Sequence, residues 1–340
     1  WQMALQLLLD MHRANIDADV IVYSSAISAC KESGQWPVAL KLLGDMWIIQ
    51  LTPNEMSYNG AISSCETGGK WEVAIYLLRQ MLEQQLVPGI ITYSSAISAC
   101  GTGREWQRGL KLFEETPSKR DVISYNSTIT ACEKGGEWQL ALHVLLSMQG
   151  EVLPDAISYN SAISACERGG KWQIVLKLLA CAVAAVHPSV ITYNTAIAAF
   201  AEASHWLLCL QVLAEMKAAE VEPDVITYNS TIVSYDKKGQ WEAVLDLLRV
   251  MDSEDMLPNV ITFSSALSVC ERAARWQLAL QLLANMQSKA QVTPNVTCFD
   301  SVIGAASATA EALPQLPVLF RRLQLLQEDW RTWSLVRGCE

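Results

Sequence analysis

From Val20 onward the apolar positions come in two sets separated by a polar break. Tyr23, Ala26, Ile27 and Cys30 stand at i, i+3, i+4 and i+7, and Trp36, Ala39, Leu40, Leu43 and Met46 repeat the spacing after Lys31-Glu32-Ser33-Gly34-Gln35. Each set lines one face of a 3.6-residue helix, so the pattern predicts two amphipathic helices per unit. Gly34 is placed to cap the first helix, and Pro53 to stop the second and set an extended link. The small side chains of Ala26 and Ala29 allow a neighbouring helix to come close.

The same cadence runs down most of the chain. Trp1, Trp36, Trp71, Trp106, Trp138, Trp172, Trp206, Trp241 and Trp276 are spaced by 35, 35, 35, 32, 34, 34, 35 and 35 residues. Tyr23, Tyr58, Tyr93, Tyr125, Tyr159, Tyr193, Tyr228, Phe263 and Phe299 keep step, as do Pro53, Pro88, Pro154, Pro188, Pro223, Pro258 and Pro294. With that aromatic counted as position 4, full units start at Val20, Glu55, Ile90, Val122, Ala156, Val190, Val225 and Val260 and end at Asn295. Residues 1–19 form the second half of a truncated unit; residues 296–340 form a degenerate unit and a capping helix over Leu319–Gln327. One hairpin cannot bury its own apolar face, but stacked neighbours can. The expected fold is therefore an all-α, right-handed superhelical solenoid of tandem helix-turn-helix repeats. The Trp, Met and Cys stripes read as packing residues, and Trp172→Ala is expected to cost about 3–5 kcal/mol where that ring is fully buried.

Composition narrows the function. With 51% hydrophobic and 18% charged residues, the chain has ample apolar surface to offset ordering entropy, which excludes disorder. No apolar run reaches the eighteen or so residues of a membrane span, so no membrane partner is expected. Cys30, Cys65, Cys100, Cys132, Cys166 and Cys270 recur in phase with the apolar face, and no CxxC or CxH pair accompanies them. They read as small core hydrophobes rather than metal ligands, and reduced thiols suggest an intracellular or organellar setting in which the Asn126, Asn229 and Asn295 sequons are accidental. His12, His143, His187 and His205 are scattered, and no phosphate loop or nucleophile motif occurs, so neither an enzyme, a cofactor nor a small-molecule substrate is expected. Entry at Trp1 in mid-pattern predicts a fragment of a longer protein, in which a catalytic domain could lie.

Segments such as Val190-Ile-Thr-Tyr-Asn-Thr-Ala-Ile197, followed by a helix ending Met216-Lys217 and then Val221-Glu-Pro-Asp224, resemble the pentatricopeptide repeat family, in tandem repeats of its P-class type. The resemblance covers residues 1 to about 312. It implies an organellar protein, of chloroplast or mitochondrion, that binds single-stranded RNA one base per repeat and acts in mRNA processing, stabilisation or expression. It further implies that position 5 and the closing position of each unit hydrogen-bond the base edge, while an aliphatic position 2 packs on the base faces.

Position 2 is Ile21, Met56, Ile91, Ile123, Ile157, Ile191, Ile226 and Ile261. Position 5 is Ser24, Asn59, Ser94, Asn126, Asn160, Asn194, Asn229 and Ser264, and the closing position is Asn54, Gly89, Asp121, Asp155, Ser189, Asp224, Asn259 and Asn295. Asn offers a donor and an acceptor and Ser a rotatable hydroxyl, which suits a base edge. The plainer alternatives are a helix N-cap at position 5 and turn chemistry after Pro at the closing position. The family's pairing rules imply A for Ser24–Asn54, G for Ser94–Asp121, U for Asn126–Asp155, C for Asn160–Ser189, U for Asn194–Asp224, a pyrimidine for Asn229–Asn259 and A for Ser264–Asn295. Asn59–Gly89 departs from the common combinations, so the implied target is 5′-ANGUCUYA-3′.

The formal net charge of −10 sits awkwardly with a phosphate ligand. The family's basic position 13 is Lys134, Arg168, Lys237 and Arg272 here, but Glu32, Thr67, Thr102 and Glu202 in the remaining units. About four phosphate contacts and a shallow salt dependence are expected. The acidic balance keeps a second reading open, a solenoid scaffold for protein partners.

Overall fold

The computed structural model describes residues 1–14, 16–116, 120–148, 150–236, 238–288 and 292–308. Lys237 and the expected capping helix Leu319–Gln327 lie outside these residues. Every regular element among the described residues is an α-helix, eighteen in all. They fall in two compact units, Trp1–His187 and Pro188–Glu340.

In the first unit, α1 (Gln2–Arg13) is followed by hairpins α2 (Val20–Ala29) with α3 (Trp36–Ile48), α4 (Glu55–Thr67) with α5 (Trp71–Glu83), α6 (Ile90–Thr102) with α7 (Trp106–Glu115), α8 (Val122–Gly135) with α9 (Trp138–Met148) and α10 (Ala156–Arg168) with α11 (Trp172–Ala185). The second unit holds α12 (Val190–Glu202) with α13 (Trp206–Ala218), α14 (Val225–Asp236) with α15 (Trp241–Ser253), α16 (Val260–Arg272) with α17 (Trp276–Ser288), and α18 (Val296–Ser307). Within each unit a first helix packs on the first helix of the next hairpin, and on the second helices of its own and the preceding hairpin. That makes the first helices the spine of the core. Small residues permit the approach: a Cβ on Gly101 of α6 would lie 2.7 Å from Ala131 Cα on α8.

The turn inside each hairpin needs one left-handed residue, φ 61° at Gly34 and 78° at Gly136. Glycine pays no steric cost there. Arg104, Ser204 and Ala274 hold the same turn in their hairpins at φ 62°, 61° and 52°.

The core is built of Tyr, Ile, Cys and Met rather than Trp. Tyr228, Ile232, Met251 and Leu267 are fully buried, as are Tyr58, Ile62, Cys65 and Met81 in the first unit. Burial drives the thiols of Cys65, Cys100, Cys132, Cys166, Cys209 and Cys270 up to about 11, so they behave as apolar filler. The tryptophans instead open the second helices, half-buried at the rim of the stack. In the first unit the rings of Trp36, Trp71, Trp106 and Trp138 lean on Gly68, Gly103, Gly135 and Gly169 of the next hairpin: a Cβ on Gly169 would lie 2.6 Å from Trp138 Cδ1. Cations cover the outer faces, with Arg108 4.1 Å above Trp71 and Arg275 5.1 Å above Trp241. The condition attached to Trp172→Ala is thus not met, because Trp172 is only half-buried. The tyrosine at position 4 is the aromatic whose loss empties the core.

Candidate nucleic-acid interface

The N-terminal ends of the first helices carry the candidate site. Position 2 falls in the first turn, on the side away from the core, so its side chain has nowhere apolar to go. Ile21, Met56, Ile91, Ile123, Ile157, Ile191, Ile226 and Ile261 are all exposed, between 56% and 68%. Leaving an isoleucine in water forfeits roughly 1.5–3 kcal/mol relative to burial.

The closing residue, not position 5, is the N-cap. Asn54, Asp121, Asp155, Asp224, Asn259 and Asn295 each accept a hydrogen bond from the backbone N–H three residues on, at 2.8–3.0 Å. Ser189 stands at the N-cap of α12 without a side-chain cap bond, its N–H donating to Thr192 Oγ1 at 3.2 Å. Gly89 leads α6 without a side chain, though its N–H donates to Thr92 Oγ1 at 3.2 Å. Position 5 lies one turn inside the helix, which removes the cap explanation for its Asn and Ser.

What those side chains do is hold one repeat to the next. Asn194 Nδ2 donates to Asp224 Oδ1 at 3.0 Å while Asn194 Oδ1 accepts from Thr227 Oγ1 at 2.5 Å. Asn126 makes the same pair of bonds with Asp155 (3.1 Å) and Ser158 (2.6 Å), and Asn229 with Asn259 (3.3 Å) and Thr262 (2.6 Å). Asn59 Oδ1 accepts from Thr92 Oγ1 at 2.5 Å. A carboxylate accepts only, so the amide nitrogen must face the aspartate and the amide oxygen must face the hydroxyl. One N–H of each amide takes no further partner among the described residues, while Asp155 and Asp224 also accept from the backbone N–H groups of Ile157 and Ile226. Burial would raise these two carboxyls, but the bonds from Ser158 and Asn126, and from Thr227 and Asn194, outweigh it and hold both below the ordinary carboxylate value.

The serine units differ. Ser24 is fully buried, donating to Val20 O at 2.7 Å and lying 2.8 Å from Ser57 Oγ, and Ser94 is buried 3.4 Å from Ser124 Oγ. Neither hydroxyl is displayed as a surface group. Ser264 is half-buried and donates to Ile261 O at 3.0 Å rather than to Asn295. Asn160 Oδ1 is buried without a hydrogen-bond partner among the described residues; it lies in the first unit, whereas Ser189 lies in the second.

The phosphate candidates at the other end of the first helices are mostly committed. Arg168 pairs with Glu133 at 3.2 Å and Arg272 with Asp236 at 3.0 Å, each acid coming from the preceding repeat. The same acids accept from Ser164 (3.0 Å) and Ser268 (2.9 Å). Lys134, half-buried in the last turn of α8, makes no ion pair with the described residues. The sequence had offered signals for both missed sets: a hydroxyl at position 3 in seven successive units, Ser57 to Thr262, and an acid at position 12 in Glu66, Glu133 and Asp236. Neither set is apolar enough to register in the periodicity.

Models of three related families match this repeating architecture. The pentatricopeptide repeat domain matches residues 6–67 and 115–168, the PPR repeat residues 56–86, 91–120 and 157–181, and the PPR repeat family residues 188–235 and 223–272. The chain belongs to the pentatricopeptide repeat family. Among solved structures it is similar to the pentatricopeptide repeat protein PPR10 from maize, at 20% identity and a TM-score of 0.59 over 89% of this chain and 49% of that one. It is also similar to PPR10 in complex with an 18-nt psaJ RNA element, at 19% identity and a TM-score of 0.50 over 85% and 48%. The chain thus spans about half the length of that relative, and the likeness is one of fold. No curated protein matches the chain.

Proposed function

We propose that this pentatricopeptide repeat chain binds single-stranded RNA in a sequence-specific manner, one base per repeat, in the processing, stabilisation or expression of an organellar transcript, in chloroplast or mitochondrion. The observation that carries the reading is the exposed aliphatic side chain at position 2 of every full repeat, five in the first unit and three in the second, each in a helix whose position 5 is Asn or Ser. Isolated exposed apolar groups mean little, but the same exposed position filled by an aliphatic residue in successive repeats of each unit favours a ligand that covers it. Flat base faces between successive aliphatics would do so, and the open amide N–H and the carboxylate beside them would meet a base edge. The PPR10 complex, a protein of the same fold on an 18-nt RNA, supports the choice of ligand.

In this reading the asparagine units act as fixed donors, since the hydroxyl of the following repeat already occupies Oδ1. The serine units act through the closing residue, Asn54 or Asp121, with the short serine leaving room for the larger purine. Binding of labelled 5′-ANGUCUYA-3′ at least tenfold tighter than a scrambled octamer is the expected result. Equal binding of both, together with recovery of protein partners, would leave the scaffold reading instead, which the net charge of −10 and the paired arginines favour.

A further inference from the structure

The second full repeat lacks a closing side chain, because Gly89 stands where the other units place Asn, Asp or Ser. It also carries a charge found at no other position 1. Val20, Ile90, Val122, Ala156, Val190, Val225 and Val260 are apolar, and only this unit opens on an acid, Glu55. The two oddities meet in space: a Cβ on Gly89 would lie 3.1 Å from Glu55 Oε1. The carboxylate therefore stands beside the space that a closing Asp would fill. Glu55 is exposed and forms no ion pair or hydrogen bond with the described residues. One turn along the same helix, Asn59 has its Oδ1 taken by Thr92 at 2.5 Å, as Asn194 has with Thr227 and Asn126 with Ser158.

We infer that Glu55 replaces the missing closing residue and is the specificity-determining acid of the second repeat, so that Glu55 with Asn59 selects uracil as Asn194 does with Asp224. The inference rests on the RNA reading proposed above. Its chemistry is that of the other Asn–acid units: the amide N–H donates to a base carbonyl, and the carboxylate accepts from the N3–H that uracil offers between its two carbonyls. Cytosine presents an acceptor at N3, which a carboxylate repels. The target then becomes 5′-AUGUCUYA-3′.

A glutamate in the first turn also favours the helix dipole, which alone would explain its presence. That role touches stability and not base choice, so the two separate cleanly. The full chain is titrated against four octamers that differ only at the second base, alongside four that differ only at the sixth, with melting temperatures in parallel. The wild type is expected to prefer uracil at the second base by about tenfold, one well-made contact pair. Glu55→Val, which installs the residue other units carry, should reduce that preference to about twofold or less and leave the sixth base untouched. Adding Gly89→Asp to Glu55→Val should restore it. Preference for uracil that survives Glu55→Val, or a wild type that discriminates at the sixth base but not the second, overturns the inference while leaving the RNA reading standing. Failure to discriminate at either base overturns both.

Discussion

The two ends of the first helices present opposite states. At the N-terminal ends the aliphatic residues are exposed and the Asn–Asp pairs keep an amide N–H open. At the C-terminal ends Arg168 and Arg272 are tied to Glu133 and Asp236 of the preceding repeat. Position 2 is exposed in all eight full units, whereas among the described basic residues at position 13 Arg168 and Arg272 are engaged and Lys134 carries no ion pair. A count of basic residues therefore overstates phosphate contact, because the arginine charges are balanced locally.

The largest effect should come from the open end. Ile191→Asp with Ile226→Asp puts charge where base faces would lie, and RNA affinity should fall about a hundredfold, the loss of two buried aliphatic contacts. Both sites are exposed, so the melting temperature should hold within a few degrees. A parallel collapse in stability would show that the row is structural. Next, Asn194→Ala should cut discrimination at the sixth base about tenfold and leave the other bases unaffected, which competition with single-base variants would read.

At the closed end the effects should be smaller. Arg272→Ala should change RNA affinity by less than about threefold and stability by less than about 1 kcal/mol, since the pair is half in solvent. With both arginines engaged, the plot of log affinity against log salt should be shallower than about −3, the value four single-strand phosphate contacts would give. A steeper slope would mean the ion pairs open on binding. The smallest effect is one of pH. Asp155 and Asp224 sit below their ordinary value of 3.8 in the folded chain, so they add stability above that pH, and the contribution is lost as pH falls through and below it. Asp155→Asn should therefore flatten the acid side of the melting profile.

The two-helix unit and the row of position-2 aliphatics were legible from spacing alone, because periodicity reports phase directly. Depth was not. Trp and Tyr share one period, yet Trp172 begins a second helix at the rim while Tyr193 points between helices into the core. The N-cap that composition allows at position 5 is filled by the closing residue, since α10 starts one residue after Asp155 and not at Asn160. The pairing of Arg168 with Glu133, the hold of Thr227 on Asn194 and the nearness of Glu55 to Gly89 all depend on register between neighbouring repeats. A one-dimensional pattern carries no such register, so these contacts had to be read from the packing.

Selection of tight binders from a random RNA pool tests the central claim most directly. The account predicts enrichment of a single-stranded octamer matching AUGUCUYA, with uracil firmest at the fourth and sixth bases, where Asn126–Asp155 and Asn194–Asp224 stand. Recovery of sequences with no shared motif, at affinities that Ile191→Asp with Ile226→Asp leaves unchanged, would contradict it.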